Sequence, residues 1–290
     1  MNAHPAVSII IPVFNDADRL ALCLSALEAQ DYPGPFEILV VDNGSKVLPA
    51  VTGRARLLQE ATPGSYAARN HALAEATGEV LAFTDSDCVP HPGWLSAGVA
   101  ALVAAPEIGM VGGRVRIQAM SGGRPNMAEL FEVAVAFPQE RYIRDGHYAA
   151  TANMFTRRAV MDKVGPFDAR LRSGGDADWG QRVHRAGYAQ VYAADAVLDH
   201  PARASQSEIF TKLRRTVGGE RDRRPGWGHA LRFAARHAVP PRTRIRAALG
   251  MADTALPTRL RVAAYCVGIN WSYAAYRLWL QASGRTSSRR

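Results

Sequence analysis

This chain lacks the features that announce whole classes of protein. Its 290 residues include three cysteines, Cys23, Cys88 and Cys266, far apart and without metal-ligand spacing. A disulfide framework or a zinc site is therefore not expected, and a reducing cytosol fits. The opening Met-Asn-Ala-His-Pro holds no basic segment leading into an apolar one, so no leader is expected. P-loop and dinucleotide fingerprints are absent, and neither an internal repeat nor a low-complexity tract stands out. What is there is 48% hydrophobic and 21% charged, enough to bury a sizeable core as one large domain, or one domain with an appendage.

The net charge of +9 is unevenly spread. Residues 1–202 carry 17 Lys and Arg against 22 Asp and Glu, a net of −5, whereas residues 203–290 carry 18 against 4, a net of +14. We expect two regions on that ground, 1–202 and 203–290. The second either faces a polyanion, membrane surface or phosphate-bearing ligand, or is an ordinary arginine-rich solvated face. It has no recognisable nucleic-acid module or aromatic platform, so nucleic acid is not an expected partner.

The first half alternates strand-like and helix-like segments. Val7 to Val13 is a continuous apolar run, the mark of a strand buried on both faces. Asn15 or Asp16 can cap a helix over 17–30, where Leu20, Leu24 and Leu27 recur at helical spacing. Strands follow at Glu37 to Val41, 55–60 and 79–84, with a helix from 63–65 to Ala76 closed by Gly78. This order specifies a parallel sheet with right-handed crossovers. Beyond it we expect a helix over about 92–105, a strand from Gly109 to Gln118, and helices at Val160 to Val164 and Ala177 to Ala186. Residues 119–147 read as a mobile insertion beside a site.

The C-terminal third is helix-prone over 205–224. Residues 262–276 are uncharged, but a bilayer crossing needs roughly 20 residues. Arg259, Arg261 and Arg277 flank that segment among Trp271, Tyr273, Tyr276 and Trp279. It is therefore either an interfacial helix or a core helix packing on the sheet.

Candidate chemistry gathers on carboxylates at strand ends. Asp42 ends the second strand, and Asp85-Ser86-Asp87 follows the apolar run Val80 to Phe83. A D-x-D at the carboxyl end of a parallel strand can hold a hard divalent cation, although Asp-Ser-Asp is also a common turn. Asp176 stands at a helix start behind Gly174 and Gly175. There it is either an N-cap or an ionised general base.

The string from Val7 to Asn15, Val40-Val41-Asp42-Asn43-Gly44-Ser45, Gly64 to Asn70 and Asp85-Ser86-Asp87 together resemble family 2 glycosyltransferases of the GT-A fold. Asn153 to Arg158, Gly165 to Asp168 and Gly174 to Arg182 are similar to later segments of that family, in the same order. The resemblance implies an α/β fold, with a Rossmann-like, mostly parallel central sheet flanked by helices and a basic helical C-terminal extension. It implies inverting transfer from a nucleotide-diphosphate sugar to an acceptor hydroxyl. Pro12, Phe14, Asn15, Asp42, Arg69, Asp85 and Ser86 are then donor contacts. Asp87, Asp85 and His200 are ligands of Mn²⁺ or Mg²⁺, and Asp176 is the base. Arg69 has the alternative of pairing with a sheet-end aspartate, and His200 that of a structural histidine. Trp94 and Trp179 are then sugar-facing candidates, with core packing as their alternative.

One departure stands out: the family usually has Glu-Asp where this chain has Gly175-Asp176, which leaves Asp178 as a rival base. The implied acceptor is a glycan or lipid-linked hydroxyl, reached from the cytoplasm and possible at an anionic membrane surface through Arg214, Arg215, Arg221, Arg223 and Arg224. Those arginines can instead close over the donor as a lid. A sugar nucleotidyltransferase or a non-catalytic nucleotide-sugar-binding protein on the same fold are the competing readings. The first usually carries a Gly-rich basic loop after its first strand, where this chain has Phe14-Asn15-Asp16.

Overall fold

The fold was analysed in a computed structural model that describes residues 4–252 and 254–285. Strand β1 (Val7–Val13) is the apolar run expected of a doubly covered strand, and six of its seven residues are buried. It lies between β2 (Phe36–Asp42) and β4 (Val80–Thr84), parallel to both, and β3 (Ala55–Gln59) extends the parallel set on the far side of β2. The crossovers between them run through α1 (Ala17–Glu28) and α2 (Ser65–Glu75). Helix α2 stops at an extended Ala76, ahead of Gly78 rather than on it.

Beyond β4 come β5 (Val89–Pro90), α3 (Trp94–Val103), β6 (Ile108–Gln118), α4 (Met127–Val135) and α5 (Gln139–Gly146). The chain continues through β7 (Asn153–Arg157), α6 (Arg158–Val164), α7 (Gly175–Arg185) and β8 (Ala189–Pro201). The eight-stranded sheet has the order β3-β2-β1-β4-β7-β6-β8-β5, and β7 runs antiparallel to both β4 and β6. This is a helix-flanked α/β architecture, with apolar clusters on the sheet's two faces built around Ile9, Ile11, Leu20 and Trp94 on one and Leu39, Phe83, Met154 and Trp179 on the other.

Two compact units emerge from the packing. One contains the residues up to Arg116, Phe137–Leu171 and Gly175–His200; the other contains Ile117–Ala136, Arg172–Gly174 and the chain from Pro201 on. The second is helical, with α8 (Gln206–Arg223), α9 (Trp227–Ala238), α10 (Arg242–Leu249) and α11 (Leu256–Ser283). The expected mobile insertion at 119–147 is instead ordered as α4 and α5. The Asn126 side chain accepts from the Ala128 and Glu129 amides, and Glu129 accepts in return from the Asn126 amide at 2.9 Å, a capping box that fixes the start of α4.

Helix α11 packs as a core helix of its own unit and leaves Leu260, Trp271 and Trp279 exposed. It buries Val262, Ala263, Cys266 and Ile269 against Ala128, Phe131, Ile209 and Ala248. Arg277, expected as a flanking interfacial cation, is fully buried. Its guanidinium donates to Glu220 at 3.0 Å and to the Arg224 carbonyl at 3.0 Å. No helix among the described residues is long and apolar enough to cross a membrane.

Glu132 of α4 holds the helical unit to a definite arrangement. It is buried, 2.5 Å from Arg203 and 3.3 Å from Lys212. Burial pushes its carboxyl up, but the two cations outweigh that and hold it below the ordinary value, while burial lowers Lys212 to about 8. Removing the carboxylate leaves two cations facing each other in a desolvated site. Glu132→Gln should therefore cost about 3 kcal/mol in urea denaturation of the full chain; a change within about 0.5 kcal/mol, the range of ordinary surface substitutions, would contradict the ion triad's role.

Candidate active site

Strand register explains how distant residues meet. Ile10 of β1 pairs with Leu39 of β2 and with Phe83 of β4, and Val13 pairs with Asp42. Continuing the β1–β4 register by two residues sets Asp85 level with Pro12, one step from Asp42. The carboxyl ends of three parallel strands thus deliver two aspartates to one edge, where open α/β sheets bind ligands. His200 arrives by a different route. Val89 of β5 pairs antiparallel with Asp199 of β8, so the next step of that register brings Cys88 opposite His200.

The predicted metal ligands divide. Asp87, Cys88 and His200 each offer a donor atom, all within 4.8 Å of one another, with His200 Nε2 3.6 Å from Asp87 Oδ2. Burial raises the Asp87 pKa and Asp85 and Asp16 add to the rise, against the pull of His200 and Arg19. A carboxylate whose burial is undercompensated, beside an imidazole, is a donor set that a divalent cation of the manganese type fits. Cys88 was not expected here. Burial lifts its thiol well above the ordinary value, so it stands in the cluster as the neutral thiol. The His200 ring also packs on Phe137, with centroids 4.8 Å apart, so it has a structural contact as well.

Asp85 stays outside that cluster. Its Oδ1 takes a hydrogen bond from Arg69 Nη2 at 2.5 Å, the sheet-end pairing that was Arg69's alternative. Arg69 is itself buried, and its Nε hydrogen has no partner. Asp42 is buried too. Its Oδ2 accepts from the Gly44 and Ser45 amides, both at 3.1 Å, and its Oδ1 is unpartnered. Among the described residues neither of these two buried atoms has a partner, against the usual pairing of buried polar groups.

Of the remaining predicted donor contacts, Pro12 lies in β1, Phe14 and Asn15 in the loop after it, and Ser86 follows β4. Pro12 is half-buried and Phe14 is 59% exposed. Asn15 takes a positive φ of 50° and ties that loop to the next: its amide donates to Ser45 Oγ at 2.7 Å and its Oδ1 accepts from the Lys46 amide at 2.9 Å. Asp16 occupies the N-cap position of α1 without capping it. Its carboxylate instead takes Arg19 at 2.7 Å and Ser86 Oγ at 3.4 Å.

Asp176 lies inside the first turn of α7, not at its cap. Tyr66 Oη donates to Asp176 Oδ1 at 3.3 Å and accepts from the Asp176 amide at 3.3 Å, so one hydroxyl fixes both the side chain and the backbone of that residue. Burial raises the Asp176 pKa, against the Ala177 amide, Arg69 and Tyr66, which favour the charged form. Asp178 is engaged elsewhere, 3.1 Å from Arg182 one turn on. The Tyr66 ring accounts for Gly175, because a Cβ there would come within 2.7 Å of it. A glutamate at this position and Tyr66 in this pose exclude each other. Trp94 and Trp179 are both fully buried, their indoles donating to Asn153 Oδ1 and the Gly165 carbonyl, so packing is their role.

Tyr66 was missed in the sequence. Its signal was its place three residues before Arg69 on one helix, a spacing that puts both on the same face. His200's meeting with Cys88 had no local signal, since it depends on a pairing more than 100 residues apart in sequence.

Comparison with known proteins agrees with this geometry. The model for "Glycosyl transferase family 2" matches residues 8–165. "Glycosyltransferase AglE" of Haloferax volcanii is 38% identical over 226 residues, 74% of this chain and 73% of that one. An N-acetylglucosaminyltransferase of Rhizobium meliloti is 27% identical over 67% of this chain but only 50% of its own length, so the chain spans about half of that relative. Among solved structures, a mannosyltransferase from Pyrobaculum calidifontis, in complex with GDP-Man and Mn²⁺, superposes with a TM-score of 0.62 at 20% identity. That match covers 97% of this chain and 88% of the other.

The Tyr66 hydroxyl stabilises ionised Asp176, so its loss favours the protonated form. Tyr66→Phe should therefore move the Asp176 titration midpoint, followed by carboxyl ¹³C NMR, to higher pH. An unchanged or lower midpoint would remove Tyr66 from this role.

Proposed function

The chain belongs to glycosyl transferase family 2, and from that premise we propose an inverting, metal-dependent transferase in which Asp176 is the base and Asp87 and His200 are the metal ligands. The observation that carries this reading is the difference between two carboxylate environments. Asp87 shares its site with an imidazole, while Asp176 is desolvated and held by a phenol. Titratable groups in contrasting surroundings are suited to different tasks.

Asp87 and His200 would hold a divalent cation, which would supply positive charge to the departing nucleotide diphosphate. The protein's own residues do the rest. Asp42, with its unpartnered Oδ1, accepts a hydrogen bond from the base or ribose of the donor. Pro12, Phe14, Asn15 and Ser86 border the same nucleotide. Arg69 keeps Asp85 engaged and offers its free Nε hydrogen towards the donor. Asp176 takes the proton from the acceptor hydroxyl as that oxygen bonds to the anomeric carbon and the bond from that carbon to the phosphate oxygen breaks. A carboxyl with a raised pKa is the stronger base for this step.

The acceptor in this reading is a glycan or lipid-linked hydroxyl. The chain works in the cytoplasm, peripheral at an anionic membrane face that its arginine-rich second unit attracts; residues 203–290 form that functional region. Exposed Trp227, Leu231, Trp271 and Leu260 in the same unit supply apolar contact.

Asp176→Asn should lower transfer from a nucleotide sugar by about 10²- to 10⁴-fold while leaving nucleoside diphosphate affinity in Mn²⁺ nearly unchanged. Full activity in that variant would rule out the assigned base. Dialysis against a chelator should abolish transfer and added Mn²⁺ restore it; transfer that persists in chelator would remove the metal.

A further inference from the structure

Helices α8 and α11 bound a cavity of about 550 Å³ within the second unit. Helix α8 contributes Phe210, Leu213 and Arg214, and α11 contributes Ser272, Tyr276, Trp279 and Leu280, each set at the spacing of one helix face. The volume lies within the range of about 300–1,000 Å³ typical of small-molecule sites. Its floor is apolar: Leu213 and Leu280 are each 1% exposed. Its wall is aromatic, with Tyr276 and Trp279 stacked at 5.5 Å.

The polar character of the lining is of one sign. Arg214 is exposed and makes no hydrogen bond or ion pair among the described residues. Arg285 lies with its guanidinium 5.6 Å over the Trp279 ring. Among the described residues no carboxylate lines the cavity. A guanidinium presents a planar fork of donors that matches phosphate oxygens. An apolar, aromatic chamber with arginines beside it is complementary to one kind of molecule: a hydrocarbon chain ending in phosphate.

We propose that this cavity binds a single-chain anionic amphiphile, a long-chain alkyl phosphate drawn from the membrane, with the chain between Leu213, Tyr276 and Leu280 and the phosphate on Arg214 and Arg285. The proposal deepens the membrane-surface reading and rests on it for the ligand's source. It adds a discrete site to a diffuse electrostatic attraction, and does so with residues outside the transfer site.

Isothermal titration of the full chain with dodecyl phosphate, below its critical micelle concentration, tests it. Uncharged dodecyl maltoside and inorganic phosphate are the comparison ligands. Dodecyl phosphate should bind at one site at least about tenfold more tightly than either, because only it satisfies the chamber and the arginines together. Arg214→Gln should weaken dodecyl phosphate about tenfold, the scale of a charged hydrogen bond, and leave dodecyl maltoside unchanged. Ser272→Phe, which fills the cavity from α11, should abolish binding while the thermal midpoint is retained. Equal binding of dodecyl phosphate by wild type and a folded Ser272→Phe variant would overturn the site, as would inorganic phosphate binding as tightly. Sedimentation with anionic vesicles separates the two readings. Vesicle binding without dodecyl phosphate binding overturns the cavity and spares the surface; dodecyl phosphate binding without vesicle binding supports the cavity and removes the surface.

Discussion

A buried guanidinium is the fixed point of the candidate site. Arg69 has 3% side-chain exposure and carries its charge in a region otherwise made of carboxylates. It holds Asp85 at 2.5 Å, and its field lowers the cost of ionising Asp176. A cation so desolvated requires partners, and a carboxylate so close to others requires a cation. Each therefore depends on the other. With Asp85 occupied, Asp87 is left to His200, and the aspartates of one short motif acquire different roles. The i, i+3 spacing on α2 puts Tyr66 beside Arg69, so a single helix turn governs both Asp85 and Asp176.

That helix turn also explains the chain's departure from the pattern it resembles. Without a side chain at 175, the Tyr66 ring packs over the start of α7, and its hydroxyl reaches both the amide and the carboxylate of Asp176. An acidic neighbour there would occupy the place of the phenol. In the proposed mechanism Tyr66 takes over the orienting that a second carboxylate could otherwise provide, at lower electrostatic cost in a region already rich in negative charge.

Much of the sheet was legible because buried parallel strands write themselves as apolar runs, and Val7 to Val13 and Val80 to Phe83 are such runs. Their carboxyl ends then pointed to Asp42 and Asp85-Ser86-Asp87 without further information. What local sequence could not show was long-range pairing: the antiparallel register that sets His200 opposite Cys88, and the choice of Asp85 for Arg69. The segment 119–147 was misread because its Gly and Met content hid a capping box at Asn126 and Glu129. Arg277 was misread for a different reason. Two of its partners, Glu220 on α8 and the Arg224 carbonyl just past that helix, are far away in sequence, so a cation that resembled a surface anchor is a buried one.

The central claim is that the metal-holding and proton-accepting carboxylates are separate: Asp87 with His200 on one side, Asp176 with Tyr66 on the other. Anomalous scattering at the manganese edge, from crystals grown with Mn²⁺ and a nucleoside diphosphate, tests it most directly. The account predicts one manganese peak bound by Asp87 and His200, with Asp176 still on Tyr66 and outside the coordination sphere. A peak ligated by Asp176, or one that leaves Asp87 unbound, would contradict it.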